Sequence, residues 1–272
     1  MVVLEQAAKK LWNLGEPIHT FAVCSNLGLV ELRRNQIDRA MYYFTKAVNL
    51  GRKGLINDKI DMIWMNIGIC AVLSGDVYKA EQAFSKAATK MKKIGSIRSL
   101  AILYANWGKL KMLQSDIPMA SRFVEHATKL CVHHPHPITE HTIAMLQVAL
   151  FLRKNNIAKA LSFWREAYEI VDVNQYTFKR VETLCFGVEI FARMGNFDRS
   201  QDLFFDAKDV TSKSTVDSFW LCYAQAQFSK YKQNQAMYAN SFRRAQELIR
   251  NHFPKRLDIQ YFFDRLRYAM DD

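Results

Sequence analysis

The sequence predicts an all-α protein built as a solenoid of antiparallel helix pairs, and three observations support this. First, the chain of 272 residues contains only 10 glycines and 5 prolines. That is too few for the many turns of an all-β protein, and it favours long helices. Second, small and aromatic residues recur with a period of about forty residues. Third, turn-forming residues recur with the same period and divide each repeat into two helical stretches.

The repeat is clearest in residues 66–87, where a glycine inside a helical pattern is followed by alanine, phenylalanine and alanine. The same four positions recur along the chain, with a slip of two residues in the last repeat: Gly28, Ala40, Phe44, Ala47; Gly68, Ala80, Phe84, Ala87; Gly108, Ala120, Val124, Ala127; Val148, Ala160, Trp164, Ala167; Val188, Ser200, Phe204, Ala207; Ala226, Tyr238, Phe242, Ala245. Glycine inside a helix costs about 1 kcal/mol relative to alanine. We therefore expect the two helices of each pair to pack closely at this point, which offsets the cost.

The turn inside each pair is predicted from residues that favour turns, and in the first five pairs an apolar residue follows two positions later. These turn positions are Asn35, Gly75, Ser115, Asn155, Gly195 and a position near Gln233. In the second repeat the first helix is expected over roughly 58–73 and the second over roughly 77–93.

We expect a single domain over residues 1–272. Residues 1–20 are predicted to form a partial repeat with a lone helix over 1–13, and residues 21–250 about six helix pairs. Residues 251–272 are predicted to form an amphipathic helix that caps the last pair with its charged face outward. The chain begins in mid-repeat, which is consistent with its being part of a longer chain or a larger complex.

Composition restricts the environment and the partners. The net charge of +12 favours acidic peptides, nucleic acid or an anionic membrane as partners, although scattered lysines on an ordinary surface give the same charge. The five cysteines are odd in number and widely spaced, which predicts buried thiols in a reducing compartment instead of disulfides. The N-terminus lacks a secretory signal, and no apolar run is long enough to span a membrane. A cytoplasmic protein is expected.

The repeat resembles the tetratricopeptide repeat family in its long-repeat form. The resemblance covers essentially the whole chain and is strongest over residues 21–167. It rests on the small–aromatic spacing, on the NLG, NIG and NWG triplets at 26–28, 66–68 and 106–108, and on the GD and GN turns at 75–76 and 195–196. It implies a right-handed superhelix in which the first helix of each pair lines a concave groove that binds a peptide segment of another protein.

Candidate groove residues follow from the face of each first helix that lies opposite the packed small residues. The predicted peptide-binding residues are Asn26, Arg33, Met62, Asn66, Ile69, Ile102, Asn106, Lys109, Leu146, Arg153 and Phe186. Asparagine stands at the same place in three repeats, and its amide suits the backbone of an extended peptide. The resemblance implies such an asparagine ladder. The alternatives are that the amides bond only to neighbouring helices and that the apolar members are core.

The expected function is therefore that of a protein–protein interaction module, acting as an adaptor or as the sensing domain of a regulator. Its expected partner is an acidic or amphipathic segment. Two alternatives stay open. One is a nucleic-acid-associated module that uses the basic C-terminal stretch, where Tyr261, Phe262 and Phe263 stand among arginines. The other is a structural subunit that uses the convex face.

No cofactor, metal or catalytic activity is predicted. The stretch 131–141 gathers one cysteine and four histidines, namely Cys131, His133, His134, His136 and His141. These are potential zinc ligands, but the stretch coincides with a proline-containing connection between repeats, where a loop is the simpler interpretation. The sequence also lacks the phosphate-loop, nucleophile-elbow and zinc-protease motifs.

Overall fold

The computed structural model describes residue 6 and residues 17–53, 60–211 and 214–267. Within these ranges the chain forms thirteen helices and no strand. The helices are α1 (Pro17–Arg33), α2 (Ile37–Lys53), α3 (Ile60–Leu73), α4 (Val77–Ile94), α5 (Ile97–Leu113), α6 (Ile117–His133), α7 (Pro137–Arg153), α8 (Ile157–Val173), α9 (Thr177–Arg193), α10 (Phe197–Asp209), α11 (Thr215–Tyr231), α12 (Gln235–His252) and α13 (Leu257–Arg267). The lone helix predicted over residues 1–13 lies outside the described residues.

The first twelve helices form six consecutive pairs. Each odd-numbered helix packs most extensively on the next helix in sequence, and each pair then stacks on the following pair. The first helices of neighbouring pairs also contact one another from α3 to α11, so they line one common face. This arrangement confirms the predicted all-α solenoid of helix pairs, and the boundaries of α3 and α4 agree with those expected for the second repeat.

The recurring small residues have the packing role that the repeat predicted. A Cβ atom on Gly28 would lie 2.5 Å from Cε1 of Phe44, a distance that real Cβ contacts do not reach. The ring of Phe44 is fully buried and fills the space between α1 and α2. Gly68 faces Phe84 in the same way. The helices of a pair therefore approach closely because one residue lacks a side chain and its partner supplies an aromatic ring.

The fifth pair departs from this pattern in a way that the sequence comparison did not anticipate. Ser200 stands where the first four repeats have alanine, and its hydroxyl donates a 2.8 Å hydrogen bond to the carbonyl oxygen of Val188. The close approach shifts to Gly187, where a Cβ atom would lie 2.6 Å from the indole of Trp164. The same Cβ atom would lie 2.9 Å from Leu203, so the tight contact joins α9 to the preceding helix α8 as well as to its pair partner α10.

The turns inside the pairs fall at the predicted positions. The backbone is left-handed, with φ between 53° and 79°, at Asn35, Gly75, Ser115, Asn155, Gly195 and Gln233. This conformation suits glycine and asparagine. The next residue caps the second helix in five pairs, because its side chain accepts a hydrogen bond from the amide three residues later. These caps are Asp76, Asp116, Asn156, Asn196 and Asn234.

All five cysteines are free and buried, as the sequence predicted. Burial raises the pKa of the Cys70 thiol to about 12. It also raises the pKa of Cys24 and Cys222. Among the described residues, none of the helices combines the length and the apolar character that crossing a membrane requires.

The packing of Gly28 against Phe44 can be tested by substitution. We expect Gly28→Ala to lower the free energy of unfolding by about 1–3 kcal/mol, because the added methyl group overlaps a buried ring. Gly108→Ala is the matched control. A Cβ atom at position 108 would lie 3.1 Å from a methyl group of Val124, so it overlaps less. Alanine also gains about 1 kcal/mol in helix propensity over glycine, so Gly108→Ala should lose less stability than Gly28→Ala. Chemical denaturation measures both variants, and equal effects would contradict this account of the repeat.

Candidate functional site

The C-terminal helix α13 lies against the face lined by the first helices. It packs on α11 and α12 of the last pair, which is where the predicted cap was placed. It also contacts α3 and α5 of the second and third pairs. The sequence did not predict these further contacts. Nor is the charged face of α13 entirely outward, since Asp258 is buried and the side chain of Arg265 is only 14% exposed.

Charged groups fix the N-terminal end of α13. The Arg256 guanidinium donates hydrogen bonds of 2.9 and 3.2 Å to the Asp258 carboxylate, and Lys109 Nζ lies 3.5 Å from the same carboxylate. Arg256 also donates to the side-chain oxygen of Asn35, which lies in the turn of the first pair. Burial alone would raise the pKa of Asp258, but Arg256 and Lys109 lower it well below its usual range. The carboxylate is therefore ionised at neutral pH and ties α13 to α5.

An aromatic cluster holds the middle of α13. The ring of Phe262 lies 5.5 Å from that of Phe186, 5.0 Å from that of Trp220 and 5.8 Å from that of Tyr223, measured between centroids. These distances are typical of favourable aromatic pairs. The neighbouring Tyr261 accepts a 3.1 Å hydrogen bond at its hydroxyl from the Arg153 guanidinium. The middle of α13 thus contacts α7, α9 and α11.

A buried carboxylate holds the C-terminal end of α13. Glu189 Oε1 accepts hydrogen bonds of 2.8 Å from Arg265 and 2.6 Å from Arg193, and Oε2 accepts one of 2.7 Å from the Tyr223 hydroxyl. Burial would raise the pKa of Glu189, but the two arginines and the hydroxyl lower it below its usual range. A carboxyl group with a lowered pKa stabilises the fold above the pKa of the unfolded chain, about 4, and this contribution is lost as the pH falls through the lowered value.

The burial of the apolar side chains of α13 indicates whether another ligand could displace the helix from the groove. Ile259, Phe262, Phe263 and Leu266 are each less than 10% exposed. At about 1.5–3 kcal/mol for each buried side chain, they contribute on the order of 6–12 kcal/mol. To displace α13, a competing segment would have to replace this contribution, which approaches the total of about 12 kcal/mol that a partner of nanomolar affinity provides. We therefore treat α13 as an integral part of the domain that fills one part of the groove.

The predicted groove residues fall into separate environments. Lys109, Arg153 and Phe186 contact α13, and Leu146 lines a cleft beside Phe262. On α1, Asn26 and Arg33 are exposed. The others are half-buried or buried: Met62, Ile69, Ile102, Asn66 and Asn106.

The three asparagines do not share one environment. Asn26 is exposed, whereas Asn66 is buried. Asn106 donates a 2.9 Å hydrogen bond from its amide to the carbonyl oxygen of Ile102 in its own helix. Their use as a ladder for a peptide backbone stays a prediction, and the bond made by Asn106 lies within its own helix, so it is not the bond to a neighbouring helix that the alternative interpretation expects.

A cleft beside α13 is bounded by α5, α7 and α9. Its lining includes Lys109, Thr142, Met145, Leu146, Lys179, Glu182, Phe186 and Phe262. His141 also borders it, and the histidine Nε2 lies 2.8 Å from Thr183 Oγ1. Because the threonine hydroxyl donates its own proton to the carbonyl oxygen of Lys179, His141 must donate from Nε2. Burial lowers the pKa of His141 to about 4, so the ring is neutral at neutral pH.

The other candidate sites are dispersed by the fold. Cys131 is buried and His133 and His134 are exposed, whereas His141 lies inside beside Thr183. No group of three potential metal ligands occurs in the part of the chain that the structure describes.

The aromatics of the basic C-terminal stretch, Tyr261, Phe262 and Phe263, are buried. In the described conformation they are therefore not accessible to stack on nucleic-acid bases.

Sequence reasoning did not connect Glu189 with Arg265 as a buried pair. The available signal was an acidic residue inside the apolar run 184–192. A carboxylate in such a run requires a buried cationic partner. That partner lies 76 positions further along the chain, and nothing in the local pattern indicates which arginine it is.

The packing of α13 gives a direct test. We expect Phe262→Ala to lower the free energy of unfolding by about 3–5 kcal/mol, because it opens a cavity among three other aromatic rings. The control is Phe205→Ala on α10, whose side chain is 50% exposed and which should change stability by less than about 1 kcal/mol. Urea denaturation monitored by circular dichroism measures both. A negligible loss for Phe262→Ala would mean that α13 is not part of the cooperative fold.

Comparison with known proteins identifies the fold. No protein-family model and no curated protein matches the chain, whereas solved structures do. PilF of Pseudomonas aeruginosa superposes with a TM-score of 0.55 at 12% identity, covering 92% of this chain and 99% of PilF. A tetratricopeptide repeat protein of Parabacteroides merdae gives 0.56 at 11% identity, covering 98% and 97%. A chain of the APC/C hetero-tetramer Cut9–Hcn1 gives 0.64 at 14% identity, covering 98% of this chain but 45% of that one. The predicted tetratricopeptide-like fold is confirmed.

Proposed function

We propose that this tetratricopeptide-like solenoid is a protein–protein interaction module that binds a segment of another protein in the part of its groove left open by α13. A role as an adaptor or as the sensing domain of a regulator is consistent with this activity. Among the structural neighbours, the Cut9–Hcn1 hetero-tetramer is an assembly of two kinds of protein. That comparison is an analogy of fold, so the proposal rests on the surface of this chain.

The observation that carries the proposal is an exposed row on α1. Ala22, Asn26, Leu29 and Arg33 are all exposed, and they follow the spacing of one helical face. Leu29 is apolar but 39% exposed, and it stands on the face that the repeat assigns to the groove. An apolar side chain in such a row, flanked by an amide and a cation, is typical of a binding surface.

The row continues onto the neighbouring helices. Met62 and Ile69 on α3 and Ile102 on α5 are half-buried, so they add apolar surface at the floor. Part of α3 and α5 is covered by α13, which pairs with Lys109 of α5, and further along the groove α13 contacts Arg153 and Phe186. The open region therefore lies at the α1 end of the solenoid and takes a short segment there.

The side chains of this region favour a particular ligand. Leu29 and Ile69 suit an apolar side chain, Arg33 suits a carboxylate, and the Asn26 amide suits a peptide group. The groove already pairs its own Lys109 with the carboxylate of Asp258. The same complementarity supports an acidic, amphipathic partner segment.

Site-specific photocrosslinking tests the proposal. A photoreactive amino acid at position 29 should crosslink to a partner protein in cells. The control position is Tyr78 on α4, which is 74% exposed and belongs to a second helix of a pair. Crosslinking from position 78 but not from position 29 would contradict the use of the groove.

The purified partner then allows a quantitative test. Leu29→Lys should weaken binding about tenfold, because it removes apolar contact worth about 1–2 kcal/mol. Tyr78→Ser, which also removes an exposed hydrophobic side chain, should leave the affinity unchanged. Equal affinities for wild type and Leu29→Lys, at unchanged thermal stability, would overturn the proposal.

A further inference from the structure

Exposed aliphatic side chains accumulate along one edge of the solenoid, where the second helix of each pair connects to the next pair or a first helix begins. Of the twelve large hydrophobic residues exposed in the described ranges, seven lie at this edge. They are Ile18, Ile94, Ile97, Val132, Ile138, Val173 and Val210. Scattered exposed apolar residues are ordinary, but their concentration on one edge calls for an explanation.

Basic residues accompany the aliphatic ones in two adjacent connections. Ile94 and Ile97 flank the α4–α5 connection, beside the exposed Lys92, Lys93 and Arg98. Lys92, Lys93 and Arg98 are the cations of these connections, because Lys109, Lys111 and Lys129 are paired with Asp258, Glu81 and Glu125. Glu140, in the first turn of α7, is the acidic residue at the same edge. Three exposed cations against this one carboxylate leave this part of the edge net positive.

The α6–α7 connection extends the same surface. Val132 is 72% exposed and Ile138 is 37% exposed. The two connections are neighbours because α5 packs on α6 and α7, and helices in contact lie about 10 Å apart. Burial and, to a smaller extent, the Glu140 carboxylate raise the pKa of the Cys131 thiol, and the Arg98 guanidinium opposes this, so the two connections lie within electrostatic reach. We call the four aliphatic and three basic side chains of these connections the basic edge.

We propose that the basic edge is a docking surface for an anionic lipid bilayer, on which the aliphatic side chains insert between headgroups while Lys92, Lys93 and Arg98 contact the lipid phosphates and carboxylates. Apolar insertion combined with a basic patch supplies the two signals that stable membrane anchoring takes. The contact is peripheral, and it leaves the groove accessible to a protein partner.

Shape favours a bilayer over an acidic protein segment. The aliphatic side chains project from the tips of separate connections, and a bound peptide needs a groove or pocket in which to bury its anchors. A bilayer is soft and adapts to a row of protruding side chains. Lys92 and Lys93 also favour the C-terminal end of α4 electrostatically, but that role explains neither Arg98 nor the aliphatic residues.

Sedimentation with lipid vesicles tests the proposal on the intact chain. At about 0.1 M salt, wild type should bind vesicles of roughly 70% phosphatidylcholine and 30% phosphatidylserine about 100-fold more tightly than pure phosphatidylcholine, because each basic residue contributes about fivefold. The double variant K92E/K93E should lose about 25-fold or more in binding. The double variant I94S/V132S should lose about tenfold, since it removes the inserting side chains.

The control has the same change in net charge at another surface. Arg243 and Arg244 are exposed on α12, and the double variant R243E/R244E should bind vesicles within about twofold of wild type. The proposal is overturned if wild type does not distinguish the two vesicle types. It is also overturned if R243E/R244E loses as much binding as K92E/K93E, or if I94S/V132S binds like wild type. Groove crosslinking from position 29 is independent of these outcomes.

Discussion

The burial of the Glu189 carboxylate is the constraint on which the groove of this solenoid depends. An ionised carboxylate at zero exposure is tolerated only with cationic and hydrogen-bonding partners, and removing one of them costs about 3–5 kcal/mol. Arg193 and Tyr223 come from the solenoid itself, but Arg265 comes from α13. The solenoid therefore needs its C-terminal helix to complete its electrostatics as well as its apolar packing.

This requirement divides the concave surface into two regions with different roles. From α5 to α11, groove positions contact α13 and contribute to stability, and α13 also contacts α3. At α1, equivalent positions remain exposed, and the proposed partner segment binds there. The groove is thus partly core and, under the proposed function, partly interface. The basic edge is a third surface. It lies at the ends of the helices, in the connections between pairs, whereas the groove runs along the sides of the first helices.

Local and periodic features of this fold could be predicted from the sequence, whereas long-range contacts could not. The turns at Asn35 and Gly75, and the packing of Gly28 on Phe44, follow from residue types at fixed spacing. The face of each first helix also follows from helical geometry. The position of α13 does not, because an amphipathic pattern shows that one face is buried without showing against what. Lys109 was predicted to meet an acidic ligand, and in the structure it pairs with Asp258 of the same chain.

Hydrogen exchange at the backbone amides of residues 259–266 tests most directly whether α13 is an integral part of the groove. Mass spectrometry under native conditions compares these amides with those of α9 and α11. If α13 completes the fold, its amides exchange as slowly as those of the two helices on which it packs, since all three open in the same cooperative event. Exchange of 259–266 that is orders of magnitude faster, with α9 and α11 still protected, would show that the helix leaves the groove freely and would contradict the account.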